Sequence, residues 1–262
     1  MRERGVRSRR GQSELIGYVL VFSAIVLAIG GVVTFGVTAL DQVQSSTVAD
    51  NGEFAMQAVA ADLEALYYGT ATRRTTELTL DSATLEAGAP TTVNVTAVRG
   101  SKTVEIGHQF RPIVYKTDDV TIAYENTLVV RDQARGSVAV NDPLITISKS
   151  QSVVPVVETN ASVQSVGGGT SEVHAVVANS TAVSMTRGSD RVRLNVTVHS
   201  LPDRIDVWER QLNESVGSLD RPSGAPLAGR PACRRPEPDH VTCIVGTDRV
   251  VVSHTNVVYD LR

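Results

Sequence analysis

The chain has 262 residues, 42% of them hydrophobic, and a formal net charge of −3; that length suits one or two domains, and that composition can bury a core. With 20% charged residues and a mean hydropathy of −0.02, it reads neither as a multi-span membrane protein nor as a basic nucleic-acid binder. Aromatics at 4% and two cysteines exclude a broad stacking platform and a four-cysteine zinc site.

The charge is unevenly placed. Arg2, Arg4, Arg7, Arg9 and Arg10 stand against a single Glu3, and residues 15–40 then carry no charge at all. At about 1.5 Å of rise per residue, a helix over this run covers the roughly 30 Å of a bilayer core. A buried core helix is the competing reading, but such a helix rarely stays uncharged for so long. A removed secretory signal is the other, but its apolar region is normally about 7–15 residues and ends at a small-residue cleavage site. The arginines put the N-terminus in the cytoplasm and the remainder of the chain outside. Glu14 marks the cytoplasmic edge of the span. Gly17, Gly30, Gly31 and Gly36 lie within it. They are either the ordinary glycine of a membrane helix or a face on which sister helices pack closely.

The stretch Arg10-Gly11-Gln12-Ser13-Glu14-Leu15-Ile16-Gly17, with the apolar run behind it, resembles the class III signal of archaeal type IV pilins and archaellins. The resemblance covers about residues 9–45. It implies cleavage by a prepilin peptidase between Gly11 and Gln12, leaving a mature chain that begins at Gln12 and keeps its hydrophobic helix. That helix first anchors the subunit and then packs against sister subunits in a filament. The well-known halophile pilins have Ser-Pro after the first mature residue, whereas here Glu14 follows Ser13. Arginine-rich, lysine-poor usage (Lys102, Lys116 and Lys149 only) and the segment Tyr124-Glu125-Asn126 resemble uncharacterised haloarchaeal pilin-like surface proteins. Together these features imply a minor or accessory subunit.

Beyond residue 47, Phe54, Met56, Val59, Ala60, Leu63, Leu66 and Tyr67 recur at helical steps and predict an amphipathic helix ending near Gly69. It either continues the membrane helix or is separated from it by a loop at 44–52, where Asn51-Gly52 could interrupt it. Residues 71–262 read as a mostly antiparallel β domain, sandwich or barrel-like. Alternation or apolar runs predict strands near 93–97, 120–124, 145–147, 153–157, 173–178, 191–198 and 248–253. Breaks are expected at 88–90, 107, 141–143, 167–169 and 188. One short helix is expected near 203–214, capped by Ser200, with Trp208 as a packing anchor. The proline-rich 217–240 reads as a loop. The fold class is therefore α+β, in three parts: a signal at 1–11, a helical spine at 12–70 and an extracellular β-rich domain at 71–262.

Cys233 and Cys243 are expected to pair in an exported domain, with a reactive thiol as the rival. Asn94, Asn160, Asn179, Asn195 and Asn213 each head a glycosylation triplet. Asn94 and Asn195 are the better placed, on the polar sides of their strands. The five histidines show no metal-ligand spacing, and no catalytic constellation or phosphate loop is present in the sequence pattern. The expectation is a non-enzymatic, single-pass surface protein with no cofactor. Its partners would be the membrane, the prepilin peptidase and sister subunits, with no nucleic acid or small-molecule substrate. An adhesive role fits the outer domain, and a monomeric anchored binding protein is the alternative.

Overall fold

A computed structural model describes residues 10–217 and 232–262, and for residues 10–15, 35–42 and 45 the backbone alone. The chain divides after Thr47 into two compact units. Helix α1 (Arg10–Tyr67) belongs to both. No proline occurs before Pro90, so nothing in this stretch removes a helical hydrogen bond. In the first unit, Ile16–Thr34 is long and apolar enough to cross a membrane. Its side chains from Ile16 to Val33 are almost all exposed.

In the second unit, Ala49, Met56, Val59, Leu63 and Leu66 are buried at steps of seven, three, four and three. Phe54 falls off this stripe and is exposed. No loop intervenes at 44–52. Gly52 does not break the helix; a Cβ there would collide with the ring of Tyr115, so the glycine lets the helix approach that ring. The helix closes in a Schellman motif: Gly69 takes φ 71°, its N–H reaches Leu66 O at 3.1 Å, and Thr70 N–H reaches Ala65 O at 3.1 Å.

The described strands are β1 (Arg73–Thr79), β2 (Thr84–Ala87), β3 (Thr91–Arg99), β4 (Lys102–Phe110), β5 (Ile113–Lys116), β6 (Val120–Glu125), β7 (Leu128–Gln133), β8 (Gly136–Ala139), β9 (Ser152–Ala161), β10 (Ser165–Gly167), β11 (Thr170–Thr186), β12 (Val192–His199), β13 (Cys233–Glu237), β14 (His240–Thr247) and β15 (Arg249–Leu261). Helix α2 (Pro202–Val216) lies between β12 and β13 in sequence. They form three sheets rather than the two layers of a sandwich. The first has the order β1-β11-β15-β9, the second β10-β2-β5-β6-β7-β8 and the third β13-β14-β12-β3-β4. All pairs are antiparallel except β15 with β9.

Two cores result. One packs the stripe of α1 on the first and second sheets, with Leu78, Leu85, Tyr115, Tyr124 and Tyr259. The other packs α2, through Ile205, Trp208 and Leu212, with Val93, Val95, Leu194 and Val196 of the third sheet. Strand β7 serves both: Leu128 and Val130 enter one core and Val129 the other. A strand buried on both faces loses the polar half of its alternation and becomes a continuous apolar run.

Three local expectations are corrected. Residues 145–147 form only an isolated bridge, Thr146 to Val153, because Ser148 closes a turn by donating to Gln151 O at 2.6 Å. Gly107 lies inside β4 opposite Asn94, whose side chain occupies the space a Cβ would need. Of the segment expected as a loop, Cys233–Glu237 is β13, while 218–231 lies outside the described residues.

Candidate functional site

Of the signal and assembly residues, Gly11, Gln12 and Glu14 stand near the start of α1, where only the backbone is described, as is the case for Gly36. The arginines before Arg10 lie outside the described residues. Among the described residues, and apart from the helix's own backbone and the adjoining residues, nothing lies within 4 Å of where a Cβ would stand on Gly17, Gly30 or Gly31.

The segment Tyr124-Glu125-Asn126 forms a buried polar hub. Glu125 is fully buried and accepts from Arg204 Nη1 at 2.7 Å, Ser200 Oγ at 2.8 Å, Trp208 Nε1 at 3.1 Å and Thr91 Oγ1 at 3.4 Å. Arg204 Nε also donates to Asp132 Oδ2 at 2.6 Å. Burial works against the Arg204 charge, but Glu125 and then Asp132 outweigh it and hold the guanidinium above its ordinary value. Ser200 therefore does not cap α2. Leu201 takes that position without a side-chain cap, and Pro202 opens the helix.

Asn126 and Thr127 make the two-residue turn between β6 and β7, both with positive φ. Asn126 holds β9 as a neighbouring strand would: Nδ2 donates to Pro155 O at 3.1 Å and Oδ1 accepts from Val157 N–H at 2.6 Å. A β-branched residue at φ 76°, as Thr127 is, stores strain. Its Oγ1 accepts the Leu144 N–H at 3.0 Å, which helps fix it there. The hub is a structural clamp between sheets and α2.

Four of the five histidines gather in two stacked pairs. His108 of β4 and His254 of β15 stack with ring centroids 3.7 Å apart and planes 6° from parallel. His108 Nδ1 lies 3.0 Å and His254 Nε2 2.8 Å from the same oxygen, Glu158 Oε2 of β9. Asn160 Nδ2 donates to the other oxygen, Oε1, at 2.7 Å. Burial, and then His254, push the His108 pKa below its ordinary value. The second pair, His199 and His240, stacks at 4.2 Å around Asp239, with Nε2 and Nδ1 at 2.8 and 2.7 Å from its two oxygens. Hydrogen bonds from His240 and His199 lower the Asp239 pKa. In each group the three ligand-type atoms lie within 4.8 Å of one another.

Sequence spacing could not have found the first group, because its residues come from two sheets. The second carried a faint trace in the Asp239-His240 pair at the start of a strand, with His199 opposite His240 in register. His174 is engaged separately, with Glu172 at 2.6 Å and Thr75 at 3.0 Å.

The cysteines form a disulfide across β13 and β14, where they are paired in register. Among the glycosylation candidates, Asn94, Asn179 and Asn213 are exposed. Asn160 and Asn195 are half-buried; Asn160 holds Glu158, and Asn195 lies on β12 between β14 and β3.

The chain belongs to a family of unknown function, DUF7289, whose model matches residues 10–258. No curated protein and no solved structure matches the chain.

Proposed function

We propose that the protein is a type IV pilin-like surface protein, a minor or accessory subunit, held in the membrane by the first part of α1 and displaying its β domain outside the cell. The observation that carries this reading is α1 itself. It is a single helix with an exposed apolar segment at Ile16–Thr34 and a core-forming stripe at Met56, Val59, Leu63 and Leu66. Exposed apolar side chains of this size are costly in water and at ease in lipid or against copies of themselves. The motif at Arg10-Gly11-Gln12 and the disulfide, which suits an oxidising exterior, support the same reading.

In this reading the protein performs no reaction. Lipid first solvates the apolar segment; after removal of residues 1–11, sister helices replace the lipid, with Gly17, Gly30, Gly31 and Gly36 allowing close backbone approach. The β domain supplies the outer, adhesive surface. The test is mass spectrometry of the N-terminal peptide of protein taken from native membranes. A start at Gln12 that is lost in cells without prepilin peptidase is the expected result. An intact Met1 or Arg2 start would overturn the pilin reading and leave a monomeric anchored binding protein.

A further inference from the structure

We propose that His108, Glu158 and His254 form a binding site for a divalent transition-metal ion of the zinc class, which would tie the edge of the third sheet to the first. Strand β4 is the outer strand of the third sheet, and β9 is the outer strand of the first, with β15 beside it. Among the described residues, the two imidazoles and this carboxylate converge on one point, Glu158 Oε2.

The distances suit an ion. Zinc bonds of about 2.0–2.2 Å in tetrahedral geometry set neighbouring ligand atoms roughly 3.3 Å apart. The two nitrogen–oxygen edges are 3.0 and 2.8 Å, so each must open by only a few tenths of an ångström, and the edge between the two nitrogens is within 4.8 Å. The stacked rings must also tilt so that both lone pairs meet the ion. His108 can make that movement, since its side chain is 35% exposed on an outer strand, against 14% for Glu158 and 11% for His254. Each ring must then carry its N–H on the nitrogen facing away from the ion, and not on the one that faces Glu158 Oε2.

Asn160 supplies the outer support that ligating carboxylates usually have. Its Nδ2 occupies Oε1 and leaves Oε2 for the ion. Two nitrogen donors out of three select against calcium and magnesium, which take oxygen ligands. Three protein ligands leave a fourth position for water beside the exposed side of His108. The Asp239 group is more open, its three side chains being 31–41% exposed.

The experiment uses the full chain in detergent, without a polyhistidine tag, carrying His199→Gln and His240→Gln so that the second group cannot contribute. Calorimetric titration with zinc chloride should show one equivalent bound. Cobalt(II) should give the visible absorption of a low-coordinate nitrogen–oxygen site, and zinc should raise the unfolding temperature. Glu158→Gln and His108→Gln should abolish all three effects, and Asn160→Ala should weaken zinc binding about 10–100-fold. His108→Gln alters a half-exposed side chain, so it remains informative even if Glu158→Gln fails to fold. The proposal is overturned if the parent binds no zinc, or if the His108 variant binds it as tightly as the parent. The three residues would then be a hydrogen-bonded group only.

Discussion

Two stretches of the same helix treat their apolar side chains in opposite ways. Between Ile16 and Thr34 large side chains point outward on every face, and Leu27 is 76% exposed. Between Val48 and Tyr67 the apolar residues other than Phe54 are gathered largely on one side, and Leu63 is 1% exposed. Glycine follows the same division. Around Gly30 and Gly31 there is open space, whereas at Gly52 the ring of Tyr115 fills the place of the missing side chain. Helical backbone alone therefore says nothing about what an element is for. One stretch is a surface awaiting an apolar surrounding, and the other is already inside one.

The strongest way to separate the two stretches is to unfold one unit without touching the other. Glu125→Ala leaves Arg204 buried without its main partner and should destabilise the β domain by about 3–5 kcal/mol in chemical denaturation. Fractionation of the protein with membranes should be unchanged. Next, Leu63→Ala should cost about 2–5 kcal/mol, while Leu27→Ala should stay within about 0.5 kcal/mol of the parent. Equal losses at both positions would break the contrast. Gly52→Ala should cost about 1–3 kcal/mol through overpacking against Tyr115. Gly30→Ala should leave stability alone and instead lower the yield of helix–helix crosslinks in native membranes. The smallest effect should come from Arg131→Met. It removes contacts to Asp50 at 3.1 Å and Glu53 at 2.8 Å, pairs partly open to solvent, and should cost about 1 kcal/mol, shrinking in high salt.

The exposed stretch was the more legible in sequence, because its pattern is its chemistry: no charge, no proline and enough length. The stripe on α1 was legible too, apart from Phe54. Its period is helical in residues 49–66, but only Tyr115, distant in sequence, explains why Gly52 does not interrupt it. Strands with one polar face, such as β3 and β12, announced themselves by alternation. Strand β7 did not, because its two buried faces erase the period. The hub was least legible. Glu125 and Arg204 are ordinary surface residues by composition, and only the pairing of β6 with β7 and the seat of α2 bring them together. The same holds for His108 and His254, whose meeting depends on which sheet edges adjoin.

Strand β15 has a consequence for timing. It lies between β11 and β9 in the first sheet. Val250 and Val252 enter one core and Val257 and Tyr259 the other. Every strand it joins precedes it in the chain, so a growing polypeptide holds a first sheet with its middle missing and two unfinished cores. Once residues 249–261 arrive, a single strand completes both cores.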